Sequence, residues 1–237
     1  MIFVFDIDDT LYDLMAPFEA AYDICLKHKT DVDCLTLFKR SRINSDVVLM
    51  KEKAGLISPN ECFYERMKMT CDDFRITFSR EESNRFESIY REAQNHIELY
   101  PEMEAVLDFC EVHQIEMVIL TNGNHDNQGH KIDCLNLHRW FDDDHIFISG
   151  DIGYHKPEPG AYRYVEKAIN VKSDELWYIG DTYESDVQGP HEASWHTIFM
   201  NHRKRQHEHN VADFTLTDRK DLIKIIEELI ENQSHII

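Results

Sequence analysis

The acidic residues at the front of the chain are the first candidates for chemistry. Asp6, Asp8 and Asp9 follow directly on the apolar run Ile2, Phe3, Val4, Phe5 and are closed by Thr10. Asp6 and Asp8 are two residues apart, so on an extended chain their carboxylates point the same way while Asp9 faces away. A continuous apolar run this short reads as a strand buried on both faces, as in a parallel sheet. In open α/β sheets ligands bind outside the carboxyl ends of the strands, which is where these acids stand. The same residue types also make turns and helix N-caps. Partners elsewhere in the chain decide between the two readings.

Three further stretches supply them. The run IEMVIL at 115–120 ends in Thr121-Asn122-Gly123. The run LWYI at 176–179 ends in Gly180-Asp181, with Asp186 five residues on. Lys156 lies between His155 and Pro157, ahead of a Pro-containing helix start. Polar tips at the carboxyl ends of strands in one parallel sheet converge on one crevice.

The elements that must position these tips follow from periodicity. After Leu11 no convincing strand occurs until about residue 97. Apolar residues recur there at helical spacing: Met15, Phe18, Tyr22, Cys25, Leu26, then Leu35, Phe38, Ile43, Val47, Met50. Asp33 and Ser58-Pro59 are helix starts, and Gly55 fits a helix end. Further helices are predicted over 59–69 and 79–96. From Pro101 onward helices and strands alternate: helix 102–113, strand 115–120, helix 126–137, strand 145–149, helix 157–169, strand 176–179, helix 184–194, strands 197–200 and 213–216, and an amphipathic helix 219–233. That alternation predicts an α/β fold, a Rossmann-like doubly wound parallel sheet with an inserted α-helical bundle. The expected division is a core of residues 1–13 and 98–237 and a helical domain of residues 14–97.

Composition narrows the function classes. Forty-five acids against 25 Lys and Arg give a net charge of −20, a surface that repels nucleic acid polymers. A small phosphate handled by such a protein needs local positive charge, from a metal ion or a specific lysine. Six cysteines, at 25, 34, 62, 71, 110 and 134, contain no CxxC pair. That pattern, with no signal-peptide features and no apolar run near the ~20 residues of a membrane span, gives the expectation of a reduced, cytoplasmic protein without membrane contact. Monomer and homodimer both stay open.

Taken together and in this order, Asp6-Ile7-Asp8-Asp9-Thr10, Thr121-Asn122-Gly123, Lys156 and Gly180-Asp181 with Asp186 resemble the four motifs of the haloacid dehalogenase superfamily. The insertion after the first motif looks like that superfamily's type-one cap, so the resemblance covers nearly the whole chain. It implies that Asp6 is the nucleophile and Asp8 the general acid and base, the latter raised in pKa by neighbouring carboxylates. It implies Mg²⁺ as cofactor, held by the Asp6 carboxylate, the Asp8 backbone carbonyl and the Asp181 carboxylate, with Asp186 holding metal-bound water or orienting Lys156. Thr121, Asn122 and Lys156 are the implied phosphate-binding groups. Asp9 and Glu184 are expected to be structural.

Dehalogenases need no Asp at the position of Asp8, mutases of the β-phosphoglucomutase type usually carry Gly where Asp9 stands, and ATPase pumps need membrane segments. A phosphate monoester hydrolase working through an aspartyl phosphate remains. FDIDDTLYD, Thr121-Asn122-Gly123 with Gln128 and Lys131, and Gly180-Asp181-Thr182 with Ser185-Asp186 and Gly189 resemble the nucleotidase-like branch, which implies a nucleoside 5′-monophosphate or a similar small phosphorylated metabolite. Ser194 departs from that branch, where a second Gly is usual. The alternatives are a phosphoglycolate or sugar phosphatase and a non-catalytic binding protein that keeps the fold. Phe18, Tyr22, Arg40, Arg42 and Asn44 are candidate cap contacts, though bundle core and surface roles suit them better. The basic, His-rich run 202–209 is expected to be a solvated loop between the last two strands, and Trp140-Phe141 to pack a helix against the sheet.

Overall fold

A computed structural model describes residues 1–234. Residues 235–237, which the expected core domain includes, lie outside the described residues. The chain divides into two compact units, Met1–Asp13 with Glu98–Ile237, and Leu14–Ile97.

The first unit is built on six parallel strands. In chain order its elements are β1 (Ile2–Phe5), α5 (Pro101–Val112), β2 (Met117–Thr121), α6 (His125–Cys134), β3 (Ile146–Ile148), α7 (Ser149–Ile152), α8 (Pro159–Ile169), β4 (Leu176–Gly180), a π-helical turn (Tyr183–Gln188), α9 (Gly189–Glu192), β5 (His196–Met200), β6 (Phe214–Leu216) and α10 (Leu222–Ser234). The strand order is β3-β2-β1-β4-β5-β6, the doubly wound sheet expected from the sequence. The order reverses between β1 and β4, which is where such sheets open a crevice. β1 sits centrally, with Phe5 beside Ile119 on one side and Ile179 on the other.

The strands are apolar throughout because both faces are covered. Every residue of β1, β2 and β4 is buried. One cluster gathers Val4, Leu120, Tyr178, Val165, Tyr162 and Trp195. In α5 the predicted face of Met103, Val106, Leu107 and Cys110 is wholly buried. Phe141 packs edge-on against Phe5 of β1, ring centroids 6.2 Å apart, and Trp140 donates to Asp108 of α5 at 2.8 Å.

Two predicted elements differ. The single helix expected over 184–194 is instead the π-helical turn followed by the short α9. The helix expected over 126–137 stops at Cys134, and Asn136 takes a left-handed conformation before a 3-10 turn at Leu137–Arg139. An Asn tolerates that conformation better than most residues, and the break redirects the chain so that Leu137 and Phe141 are both buried.

The second unit holds α1 (Ala16–Cys25), α2 (Cys34–Lys53), α3 (Cys62–Asp73) and α4 (Arg80–Gln94). Asp33 caps α2 by accepting from the Thr36 N–H at 3.0 Å, and Gly55 follows α2 at φ +69°. Ser79 and Glu82 form a capping box at the start of α4. Phe86 packs with Phe18, Phe63 and Phe78, and Phe18 also meets Phe38. Phe18 and Tyr22 are therefore core of this bundle, Tyr22 also donating to the Val32 carbonyl at 2.8 Å. Arg40 and Asn44 both bond Asp73.

Candidate active site

β1 ends where its ladder to β4 ends: the Asp6 N–H donates to the Ile179 carbonyl at 3.0 Å. The chain then turns, with the Thr10 and Leu11 N–H groups donating to the Ile7 carbonyl. Asp9 takes a left-handed conformation at φ +64° inside that turn. The turn separates the three acids. Asp6 stays at the sheet's carboxyl edge, while the Asp9 carboxylate is taken up by Arg203.

At that edge β4 delivers Asp181, and the following turn delivers Asp186. Carboxylate oxygens of Asp6, Asp181 and Asp186 all lie within 4.8 Å of one another, and all three residues are buried. Gly180 makes the approach feasible. A Cβ there would stand 2.5 to 2.6 Å from the Asp186 carboxyl group. The Asp186 carboxylate accepts from the Thr182 N–H at 2.9 Å and from the Ser185 hydroxyl at 3.0 Å.

Lys156 lies among these acids, 5% exposed. Its ammonium donates to Asp6 at 2.9 Å, to Asp186 at 2.8 Å and to the Tyr178 hydroxyl, which in turn donates to the Leu120 carbonyl at 2.6 Å. The Asn122 side chain clamps the lysine's backbone in both directions, accepting from its N–H at 2.9 Å and donating to its carbonyl at 2.8 Å. Ser149 accepts from the Gly123 N–H at 2.9 Å and so ties β3 to the same turn.

Thr121 is fully buried at the tip of β2 and accepts from the Gln128 amide at 3.1 Å. Asp8 receives Lys131, Tyr12 and Gln128. The charged group bonded to Asp8 is thus a cation. The Lys131 ammonium contacts both of its oxygens, a partner that the sequence reading did not assign to Asp8.

Electrostatics follow from the crowding. Burial pushes Asp6 up to about 7; Lys156 opposes this, and the charges of Asp186 and Asp8 add to it. Asp181 is raised well above the carboxylate range by burial, then by Asp9 and Asp186. Burial disfavours a charged Lys156, but Asp186 and Asp6 outweigh it and hold the ammonium above its ordinary value. Three buried carboxylates, those of Asp6, Asp181 and Asp186, with one buried ammonium among them leave a negative excess at an oxygen-lined point. That donor set fits a hard divalent cation. Asp6 and Asp181 could hold it, while both Asp186 oxygens are already engaged.

The remaining expected residues fall outside this cluster. Glu184 is exposed in the turn after β4. Asp9 is buried against Arg203, which donates to its two oxygens at 2.5 and 2.6 Å. Burial alone would raise Asp9, but hydrogen bonds from His202 and Arg203 and the charge of Arg203 hold it well below the usual carboxylate range. The run 202–209 is therefore not simply a solvated loop. Arg203 is drawn in by Asp9, His207 stacks on Tyr183 with ring centroids 4.0 Å apart, and Arg205 stands 3.6 Å from Asp181. Composition pointed to solvent here because the buried acid that claims Arg203 is 194 residues away. Tyr178 was also missed, since a tyrosine inside an apolar strand carries no signal of its own.

The haloacid dehalogenase-like hydrolase family model matches residues 1–194. The chain belongs to this family. It is 25% identical over 142 residues to a glyceraldehyde 3-phosphate phosphatase of Methanopyrus kandleri, covering 58% of this chain and 60% of that protein. It is 32% identical over 114 residues to a phosphoserine phosphatase of Thermus thermophilus, covering 48% of this chain and 45% of that protein. The chain thus spans about half the length of the curated relatives it matches. The crystal structure of the HAD-hydrolase YfnB from Bacillus subtilis bound to magnesium superposes with a TM-score of 0.70, at 19% identity, over 95% of this chain and 97% of that one. At that identity the likeness is one of fold.

Proposed function

We propose that this family member is a Mg²⁺-dependent phosphate monoester hydrolase that works through an aspartyl phosphate on Asp6. The observation that carries the reading is the buried Lys156 bonded at once to Asp6 and Asp186, beside a cluster of three carboxylates. An anion-binding cation and a carboxylate nucleophile meet there at the topological switch point of the sheet.

In this reading the Asp6 carboxylate attacks phosphorus and the ester oxygen leaves with a proton from Asp8. Water then attacks the phosphoryl group while Asp8 takes its proton, which frees phosphate and restores Asp6. Such proton transfer is worth roughly 10²–10⁴-fold. Lys156 and the Thr121 hydroxyl, with the Asn122 N–H, hold the transferring group and offset its charge. Asp6, the Asp8 carbonyl and Asp181 would hold Mg²⁺, which would supply positive charge against the phosphate. Asp186 keeps Lys156 in place. The helical unit 14–97 takes the part of the cap domain.

The proposed substrate is a small phosphorylated metabolite. A nucleoside 5′-monophosphate is the first candidate, on the strength of FDIDDTLYD and of Gln128 and Lys131 after Thr121-Asn122-Gly123. The names of the relatives add glyceraldehyde 3-phosphate and phosphoserine to the panel. The test is hydrolysis of p-nitrophenyl phosphate with and without Mg²⁺, followed by that panel with phosphoglycolate and hexose phosphates. No turnover, or turnover unchanged in Asp6→Asn, sinks the hydrolase reading. A non-nucleotide preferred about tenfold in kcat/KM, some 1.4 kcal/mol of transition-state binding, sinks the nucleotidase reading.

A further inference from the structure

Asp8 is gripped on both carboxylate oxygens. Oδ1 accepts from Lys131 Nζ at 2.6 Å and from the Tyr12 hydroxyl at 2.7 Å. Oδ2 accepts from the same ammonium at 2.8 Å and from the Gln128 amide at 3.3 Å. Lys131 is 7% exposed and Gln128 1%. The two stand three residues apart on α6 and so share a face, and Asn124 caps the start of that helix by accepting from the Asn127 N–H at 2.8 Å. A lysine is almost never buried without a partner, and the carboxylate that Lys131 meets is Asp8.

One ammonium bonded to both oxygens of a carboxylate fixes the plane of the group as well as its place. Gln128 carries the constraint further. Its amide nitrogen also donates to the Asn122 carbonyl at 2.5 Å and to Thr121 Oγ1 at 3.1 Å. Gly123 leaves the room for this, since a Cβ there would stand 2.6 Å from Gln128 Cγ. The grip on Asp8 and the turn beside Lys156 are therefore one hydrogen-bonded unit.

We propose that Lys131 is the positioning residue of the proton-transfer carboxylate, and that with Gln128 and Tyr12 it keeps Asp8 in the single orientation that serves both half-reactions. The inference rests on the reading of Asp8 as general acid and base. It gives a purpose to Gln128 and Lys131, which the sequence marks only by spacing. Lys131 touches no reacting atom in this account and acts through Asp8.

The test is a double-mutant cycle on the Mg²⁺-loaded enzyme with p-nitrophenyl phosphate. Lys131→Met is expected to lower kcat about 10- to 100-fold, the scale of a misplaced catalytic group, with KM changed by less than about threefold. Lys131→Arg is expected to restore part of the loss. In an Asp8→Asn background, Lys131→Met is expected to add no further loss, since the group it positions is gone. Wild-type kcat in Lys131→Met, a higher kcat, or losses that multiply in the Asp8→Asn background overturn the proposal. If Lys131→Met fails to fold, Tyr12→Phe decides by the same cycle, with a smaller loss expected that vanishes in Asp8→Asn. A wild-type protein with no phosphatase activity defeats the parent reading instead, so the two failures are distinct.

Discussion

Stripped of divalent cations, the protein should lose stability as the pH rises through the neutral range. Asp6 lies 7% exposed beside Asp186 and Asp8, and its carboxyl is pushed from an ordinary 3.8 up to about 7. Between those two values the folded chain binds a proton that the unfolded chain releases. The stabilisation linked to Asp6 is therefore whole below an ordinary carboxylate pKa and is lost as the pH climbs toward 7. At 1.36 kcal/mol per unit, the shift from 3.8 to about 7 corresponds to about 4 kcal/mol. For a chain of this length that is on the order of 10 °C in melting temperature. Asp181 is raised by the same burial and adds to the slope. Asp9 has the opposite sign. Held low by His202 and Arg203, it contributes stability above the ordinary carboxylate range and loses it only in stronger acid. The assay is thermal melting in EDTA at about pH 5, 6, 7 and 8, for wild type, Asp6→Asn and Asp181→Asn. Each variant should flatten the slope and melt above wild type at the alkaline end, and saturating Mg²⁺ should restore the wild type there. The difference between wild type and variant removes every contribution common to both. A flat wild-type profile, or an Asp6→Asn protein less stable than wild type at the alkaline end, would refute the reasoning.

Other perturbations test separate parts of the site. Gly180→Ala places a Cβ 2.5 Å from Asp186; urea unfolding should show a loss of about 1–3 kcal/mol, with turnover reduced as well. Arg203→Met strands the buried Asp9 and should cost about 3–5 kcal/mol, most of it recovered in Arg203→Met with Asp9→Asn. Tyr178→Phe removes the hydroxyl between Lys156 and the Leu120 carbonyl; the loss should be about 1–3 kcal/mol by the same unfolding assay, with a lower kcat.

The sheet was legible because its strands must be apolar on both faces, so each polar tip stood out against IFVF, MVIL or LWYI. Strand order explains why the tips meet: β1 pairs with both β2 and β4, which brings Thr121 and Asp181 to either side of Asp6. Lys156 was identifiable by its place in the motif order, but its clamp by Asn122 was not, because sequence spacing says nothing of a side chain returning across 34 residues. Gln128 and Lys131 were visible as a spacing without a role. Their role depends on which way α6 faces, and few apolar residues mark that helix. The strap after β5 was misread because local charge suggests solvent, whereas a single buried Asp9 reverses the preference for Arg203.

The most direct measurement is the chemical state of Asp6 during turnover. With substrate and Mg²⁺, Asp8→Asn enzyme is slowed in the hydrolysis of its intermediate, is quenched in acid, and its peptides are read by mass spectrometry. The expected result is a phosphoryl group on the peptide carrying Asp6, absent in Asp6→Asn and absent without Mg²⁺. Phosphate release by an enzyme whose Asp6 never carries phosphorus, or release that persists in Asp6→Asn, would contradict it.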